Sequence, residues 1–207
     1  MVCVKDERRG NYIWLYSNRP FWPLDPRPED FKLLDIAHGS ALENRWHGQT
    51  KIPVNVAYHA NNVRKLAIVL APEGRRALTG LYAQLHDAHE GLLKDIAKPL
   101  KEMFPDWGEM ERNVDIAIYK HFGLDPDIPK DIQQVIALCD RWAAGLEAKA
   151  YHCLKNSELR SLGTPPPEIR LAAGLLDRSI DYSRDKNEFI SGTRILLQTL
   201  GLPYLEV

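Results

Sequence analysis

Apolar residues recur at the spacing of an α-helix along most of the chain, and this periodicity constrains the fold more than any other feature. Phe31, Leu34 and Ala37, for example, lie three positions apart and would share one helix face. The same kind of spacing predicts helices over 30–42, 54–70, 72–90, 95–103, 106–121, 131–151, 168–182 and 188–200. The sequence therefore predicts a mostly α fold, in which helices bury their apolar faces against one another.

A β-hairpin signal precedes the helices. The segment of about residues 12–22 is rich in aromatic and β-branched residues, and Ser17-Asn18 suits its turn. The stretch 23–28 holds three prolines and cannot lie inside a helix. Pro99 is expected to interrupt its own short helix for the same reason. We therefore expect a short N-terminal hairpin in front of a helical bundle.

A triple proline follows Gly163-Thr164 and divides the helical part of the chain. We interpret residues 1–163 as one domain and residues 164–207 as a C-terminal helical extension. Because consecutive prolines are stiff and extended, they are expected to project the final helices away from the bundle. The segment 188–200 carries too many apolar residues for a free helix in water. Its apolar face therefore needs a partner, either the same chain's bundle or another subunit.

Composition excludes several classes of protein. The chain has 207 residues, of which 44% are hydrophobic, so a sizeable core is expected. A net charge of −1 and an isoelectric point near 6.7 argue against binding of a nucleic acid polymer through a basic face. No apolar run approaches the ~20 residues of a membrane helix, and the charged N-terminus lacks a signal-peptide core. Cys3, Cys139 and Cys153 lack CxxC spacing, which favours a cytoplasmic protein without disulfides.

The adjacent pair His86-Asp87 is the first sign of a metal site. Both residues lie near the end of a predicted helix, and both reach one ion only if it lies over that face, inside the bundle. An imidazole and a carboxylate form a mixed nitrogen and oxygen set, which suits Zn, Mn, Fe, Co or Ni more than Ca. Because one helix cannot complete a metal shell, further ligands must come from neighbouring helices.

Two residues in other predicted helices are candidates for those ligands. His59 lies near the start of the helix over 54–70, and Asp140 follows an apolar stretch in a long helix. An aspartate is costly to bury unpaired, so a metal or a cation is its natural partner. The residues alone leave other readings open, because His59 could be a core histidine and Asp140 could pair with Arg112 or Arg141.

The order of these residues resembles that of a known family. His59, then His86-Asp87, then Asp140, with the pattern HDAHE-x4-D-x3-P-x-K around the pair, is similar to the HD-domain superfamily of phosphohydrolases. The similarity is to the HD-domain 5′-deoxynucleotidases of bacteria and prophages, and to the phage dATP triphosphohydrolases. It implies an HD-domain helical bundle with metal-dependent activity on nucleotides.

Further segments extend the resemblance in both directions. Residues 21–37, which end in DIA, resemble the entry segment of one bacterial and prophage branch. The pair Arg45-Trp46 resembles the arginine–aromatic pair that precedes the first metal histidine of the family. Asp140 followed by Glu147 resembles the final metal aspartate and a glutamate seven residues later. The resemblance covers about residues 12–151 and leaves the C-terminal residues without a recognisable counterpart.

The resemblance implies metal-assisted hydrolysis with one divalent transition metal (Zn, Co, Mn, Fe or Ni), and it is compatible with additional Mg on the substrate phosphates. The implied metal ligands are His59, His86, Asp87 and Asp140. Glu90 would act as a general base or orient the attacking water, and Asp95 would position water or protonate the leaving oxygen. Either carboxylate could instead be a surface group. His89 stands where relatives usually carry a small residue, so it is either a donor near the ligands or a spectator.

The resemblance also implies contacts to a nucleotide substrate. The implied substrate-binding residues are Arg45, Trp46, His47, Gln49, Lys98 and Lys101. Arg45 and Lys101 would clamp phosphate oxygens, while Trp46 would pack against the sugar or base. Gln49 stands where relatives often have a histidine. If that histidine contacts phosphate in the relatives, Gln49 or His47 would make the contact in this chain. The two lysines could equally form a solvated face, and the tryptophan could belong to the core.

Three functions remain open at this point. We favour a 5′-deoxynucleotidase, because Gly48 leaves space where the adenine-selective phage enzymes carry a bulky apolar residue. The alternatives are a triphosphohydrolase that releases deoxynucleoside and triphosphate, and an HD bundle that binds nucleotide without turnover. The complete ligand set argues against the last. Because similar nucleotidases form oligomers, we expect the final helices to contact another subunit of a homo-oligomer.

Overall fold

The computed structural model of this chain describes residues 7–151, 165–172, 174, 176 and 179–203. Cys3, Cys153 and the predicted break at Gly163-Thr164 lie outside the described residues. Cys139 is buried and carries a free thiol. Within the described ranges, no helix is both long enough and apolar enough to cross a membrane.

The described structure is helical apart from one hairpin, which confirms the predicted fold class. Strand β1 (Ile13–Trp14) pairs antiparallel with strand β2 (Pro20–Phe21). The α-helices are α1 (Leu33–Leu42), α2 (Val56–Leu70), α3 (Arg76–Leu85), α4 (Glu90–Leu93), α5 (Lys98–Lys101), α6 (Pro105–His121), α7 (Lys130–Tyr151), α8 (Pro167–Ala172) and α9 (Tyr182–Leu200). Single 3-10 turns cover Pro28–Asp30 and Arg45–Gly48.

The predicted hairpin is tied to the bundle by one buried carboxylate. Its turn contains Asn18 at φ 59°, a backbone conformation that asparagine tolerates better than most residues. Asp35 on α1 is 3% exposed. It accepts a 2.7 Å hydrogen bond from the Ser17 backbone N–H and a 2.8 Å bond from the Ser17 hydroxyl. The aspartate of the DIA segment therefore fixes the hairpin against α1.

Helix α2 lies at the centre of the bundle and carries His59. It begins after Asn55, whose side chain accepts a 2.7 Å hydrogen bond from the Tyr58 N–H and caps the helix. Every residue from Val56 to Val63 is buried, because α2 packs on α1, α3, α7 and α9. A histidine in this part of α2 is therefore enclosed by the bundle and needs polar partners.

Two details predicted for the helices near the candidate metal ligands are wrong. The helix predicted over 72–90 ends at Leu85, and the residues from His86 to His89 form turns before α4 begins. Pro99 lies in the first turn of α5 and does not interrupt it. A proline fits there because the first-turn N–H groups of a helix have no partner within the helix.

The last helix begins earlier than its apolar pattern indicates. It starts at Tyr182, because the Asp181 carboxylate accepts a 2.8 Å hydrogen bond from the Arg184 N–H and caps the helix. It ends at Gly201, which takes the left-handed conformation (φ 64°) common at helix C-termini.

The expected projection of the final helices away from the bundle is wrong. Helix α9 packs against α1, α2 and α3, and Phe189, Leu196 and Leu197 are buried in the common core. Asp185 is 1% exposed and accepts a 3.0 Å hydrogen bond from the Asn55 amide, the cap of α2. Burial of the apolar face outweighs the local stiffness of the prolines. The boundary at residue 163 and the homo-oligomer stay predictions.

Helices α1 and α4 cross so closely that only glycine fits at the contact. A Cβ added to Gly39 would lie 2.0 Å from the carbonyl oxygen of Gly91. A Cβ added to Gly91 would lie 2.5 Å from the Ser40 nitrogen. Because Gly91 directly follows Glu90, this crossing sets the position of the first residue of α4.

We expect Gly39→Ala to destabilise the protein by about 1–3 kcal/mol, because the added methyl group forces α1 and α4 apart. The measurement is the free energy of unfolding from urea titrations. Gly108→Ala is the matched control, since its helical glycine has nothing within 4 Å of an added Cβ. That change should stabilise α6 by about 0.5–1 kcal/mol. Equal stability of the two variants would contradict the close crossing.

Candidate metal centre

Three parts of the bundle bring the four predicted ligands together. His59 comes from α2, His86-Asp87 from the turn after α3, and Asp140 from α7. One donor atom from each residue lies within 4.8 Å of all the others. The His59 Nε2 atom lies 3.0 Å from Asp140 Oδ1 and 3.8 Å from Asp87 Oδ2. The His86 Nε2 atom lies 3.1 Å from Asp87 Oδ2.

Both imidazole rings are oriented by an acceptor on the side away from this cluster. His59 Nδ1 lies 2.7 Å from Oε1 of Glu147, and His86 Nδ1 lies 2.8 Å from the Ala83 carbonyl oxygen. These contacts keep a proton on Nδ1 and direct the Nε2 lone pair into the cluster. Within the part of the chain that the structure describes, the buried His86 Nε2 atom makes no hydrogen bond. The arrangement therefore fits a divalent metal ion bound by two Nε2 atoms and two carboxylates.

One side of the cluster is open to solvent. The side chain of His59 is fully buried and that of His86 is 11% exposed, whereas that of Asp140 is 43% exposed. A buried set of ligands with one accessible side is typical of catalytic metal sites, which keep a position for water or substrate.

Arg45 lies among the carboxylates at the edge of the cluster. Its Nη1 atom is 3.3 Å from Asp87 Oδ2 and 3.8 Å from Glu90 Oε2, and its Nε atom is 3.3 Å from Glu147 Oε2. Burial alone would lower the pKa of Arg45, but Glu147, Asp87 and Glu90 raise it above its ordinary value. The guanidinium therefore stays charged beside the candidate metal ligands.

The residues after Arg45 form a strained left-handed turn. Trp46, His47 and Gly48 have φ values of 59°, 51° and 68°, a conformation that costs roughly 1–2 kcal/mol for each residue with a Cβ. The turn is closed by a 2.8 Å bond from the Gln49 N–H to the Trp46 carbonyl. The His47 Nε2 atom accepts a 3.0 Å bond from the Ala97 N–H, which joins this turn to the loop before α5.

Glu90 is a buried carboxylate next to the metal ligands. It is 7% exposed, and its Oε2 atom has no hydrogen-bond partner within the described structure. Burial raises the pKa of Glu90 to about 8, with a further contribution from the charges of Asp87 and Asp95, while Arg45 and His89 oppose the shift. A carboxylate of this kind is typical of general acids and bases.

A cleft lies between the left-handed turn and the loop before α5. It measures about 360 Å³ and is lined by Leu42, Glu43, Asn44, His47, Gly48, Lys94, Asp95 and Ile96. Lys94 forms an ion pair with Glu43 in its wall. Asp95, a predicted catalytic residue, lies on this cleft and contributes to the raised pKa of Glu90. The cleft is therefore close to the metal cluster.

Three other predicted substrate contacts are exposed or pair with another residue. Gln49 and Lys98 are exposed. The Lys101 Nζ atom lies 2.8 Å from Glu111 Oε1 on α6. The phosphate contacts of these residues stay predictions.

Sequence reasoning missed a set of polar residues next to α4. His89 Nδ1 lies 2.8 Å from Asp115 Oδ1. Burial lowers the pKa of His89, but the charge of Asp115 outweighs this effect and raises the pKa to about 9. Glu111 and Asp115 are four positions apart and share one face of α6. That spacing is the signal in the sequence, but nothing in the sequence says which residue the face meets.

The chain has curated relatives of similar length. It is 33% identical over 191 residues to the uncharacterized protein RCAP_rcc00048 of Rhodobacter capsulatus, a match that covers 90% of this chain and 96% of the relative. The chain belongs to the family of that protein. A second relative, YfdR of Escherichia coli, is 30% identical over 116 residues, covering 56% of this chain and 61% of its own length. No protein-family profile matches the chain.

One solved structure identifies the fold. The HD phosphohydrolase DatZ of cyanophage S-2L, bound to dA and one catalytic Zn²⁺ ion, matches with a TM-score of 0.50 and 19% identity. The match covers 79% of this chain and 95% of that chain. The family member described here therefore has the fold of an HD phosphohydrolase, which confirms the expected helical bundle.

Proposed function

We propose that this chain is a metal-dependent phosphohydrolase that removes the phosphate from deoxynucleoside 5′-monophosphates. The metal-ligand cluster carries this proposal, because two oriented Nε2 atoms and two carboxylates converge on one open position. The DatZ neighbour, which has the same fold, binds dA and one Zn²⁺ ion, and this supports the proposal that the present chain binds a metal ion and a nucleotide.

The mixed donor set suits a divalent transition metal, with zinc as the first candidate. His59, His86, Asp87 and Asp140 would hold the ion, and Glu147 would orient His59. A bound ion supplies Lewis acidity to the phosphoryl group and to water.

The residues around the cluster divide the remaining chemistry. Glu90 accepts the proton of the attacking water, which its buried position and lack of a hydrogen-bond partner favour. Arg45 neutralises the charge that develops on the phosphoryl oxygens. Asp95, in the wall of the cleft, supplies a proton to the leaving oxygen. The nucleoside occupies the cleft, where no described atom lies within 4 Å of a Cβ added to Gly48, so this residue leaves open space in the cleft wall.

Local charge favours a monophosphate over a triphosphate. Carboxylates outnumber cations near the cluster, and Lys94 and Lys101 are each paired with a glutamate in the described structure. A monophosphate carries about two negative charges at pH 7, whereas a triphosphate carries about four, since the last phosphate pKa is near 6. The site therefore offers a triphosphate less positive charge than it needs, unless Mg accompanies the substrate.

A direct assay tests this proposal. Zinc-loaded protein is incubated with each deoxynucleoside monophosphate and triphosphate, and inorganic phosphate and triphosphate are measured separately. We expect phosphate from the monophosphates with several bases, and no activity after chelation. Release of triphosphate alone would replace the nucleotidase with a triphosphohydrolase. Tight nucleotide binding without any product would indicate the non-catalytic alternative.

A further inference from the structure

A second polar cluster lies next to the metal centre, where α4 meets α6. His89 is 8% exposed, and its Nδ1 atom lies 2.8 Å from Asp115 Oδ1. Its Nε2 atom lies 3.7 Å from Oε1 of Glu111, on the same face of α6. The imidazole ring is therefore enclosed between two carboxylates of one helix, and Glu90 is the next residue along the chain.

Glu111 connects this cluster to α5. Its Oε1 atom accepts hydrogen bonds from Trp107 Nε1 and interacts with Lys101 Nζ, each at 2.8 Å. The other three residues of α5 are exposed, so little apolar burial holds this short helix. The ion pair between Lys101 and Glu111 is thus its principal side-chain attachment to α6 among the described residues.

We propose that His89 is a positioning residue for substrate binding. It holds Asp115 directly and lies against Glu111, so that Glu111 keeps the orientation that pairs with Lys101 and fixes α5. The loop that leads into α5 carries Asp95 and Ala97. The Ala97 N–H donates a hydrogen bond to His47 across the cleft. His89 therefore acts on the cleft wall through Glu111 and Lys101. The inference rests on the proposed function, since the cleft is assigned there to the nucleoside.

Loss of this support is expected to weaken substrate binding more than it slows the chemical step. His89→Ala removes the partner of Asp115, and Glu111→Gln removes the negative charge that pairs with Lys101 while keeping an oxygen that accepts from Trp107. Each should raise KM by about tenfold, the effect of one lost charge-assisted contact. The value of kcat and the zinc content should stay close to wild type, because neither residue is a proposed metal ligand or general base.

A double-mutant cycle tests whether the two residues act through one network. The four proteins are wild type, His89→Ala, Glu111→Gln and the double variant, each as the zinc-loaded full chain with a deoxynucleoside monophosphate. We expect the double variant to raise KM no more than the stronger single variant, because residues in one network are not additive. Arg112→Met, which removes an exposed cation of α6, is the control and should leave KM unchanged.

Additive increases in KM, or a loss confined to kcat or to zinc content, would overturn the inference. Hydrogen exchange of residues 98–104, measured without substrate, separates this result from failure of the proposed function. If the wild type hydrolyses no nucleotide, faster exchange of α5 in His89→Ala than in Arg112→Met still supports the network. Unchanged exchange overturns it. If His89→Ala does not fold, Glu111→Gln carries the test, and it should give faster exchange of residues 98–104 than Arg112→Met. His89→Asn, which keeps a donor for Asp115, should exchange as slowly as the wild type.

Discussion

Replacing Asp87 by Ala is expected to remove the metal from the protein and to abolish phosphate release. The Asp87 Oδ2 atom lies 3.1 Å from His86 Nε2 and 3.8 Å from His59 Nε2, so it shares the position where both imidazoles converge. Its loss leaves a bound cation with one carboxylate fewer and removes one carboxylate partner of Arg45, which keeps Glu147 at 3.3 Å. Loss of a residue that is hydrogen-bonded to a metal ligand lowers metal affinity by ~10–100-fold. Loss of Asp87, a proposed ligand itself, should lower the affinity by more.

Metal content after purification and brief chelation measures this effect, with phosphate release as the second readout. Asp131→Ala is the matched control, because it removes an exposed carboxylate of α7 that pairs with Arg75 at the surface. Surface pairs contribute little to stability, so this variant should keep its metal and its activity. A wild-type metal content in Asp87→Ala would show that the cluster is not the metal site.

The pattern of the sequence made the candidate ligands conspicuous, the family resemblance selected them, and the structure brings them together. His59 and Asp140 interrupt apolar helical stretches, where an unpaired polar side chain is costly, and His86-Asp87 follows a third such stretch. Helical periodicity also located the elements that carry them. What the pattern could not supply was the orientation of the rings, which depends on Glu147 and the Ala83 carbonyl from other turns of the bundle.

The position of α9 shows where local reasoning failed. Proline stiffness is a property of a few residues, but the packing of Phe189 and Leu197 depends on a groove built by α1, α2 and α3. The hydrogen bond between Asp185 and Asn55 is likewise a contact across a long sequence separation. Such pairs leave no periodic signal in the chain.

The left-handed turn was hidden for a related reason. Only Gly48 among its residues favours positive φ, whereas tryptophan and histidine disfavour it. The turn forms because contacts from elsewhere determine it, among them the bond from the Ala97 N–H to His47. Strained backbone of this kind concentrates at functional sites, where the surrounding structure fixes it. Here it holds Arg45 at the cluster and opens the cleft beside it.

Replacing Glu90 by Gln is expected to leave the metal in place and to lower kcat by ~10²–10⁴, the usual effect of a lost general base. Glutamine has nearly the shape of glutamate, so the close contact of Gly91 with α1 and the buried position should be preserved. The change removes the proposed acceptor of the proton of water. It also removes one of the negative charges around Arg45, whose Nη1 atom lies 3.8 Å from Glu90 Oε2.

Metal content and single-turnover rates, measured on the same preparation, distinguish a base from a ligand. A base acts on the chemical step alone, so zinc content should match the wild type while the rate of phosphate formation falls. Glu109→Gln on the exposed face of α6 is the control for a lost surface carboxylate and should change neither quantity. A Glu90→Gln protein that purifies without metal would make Glu90 a ligand. Full activity with full metal content would assign proton transfer to another group, with Asp95 in the cleft wall as the next to test.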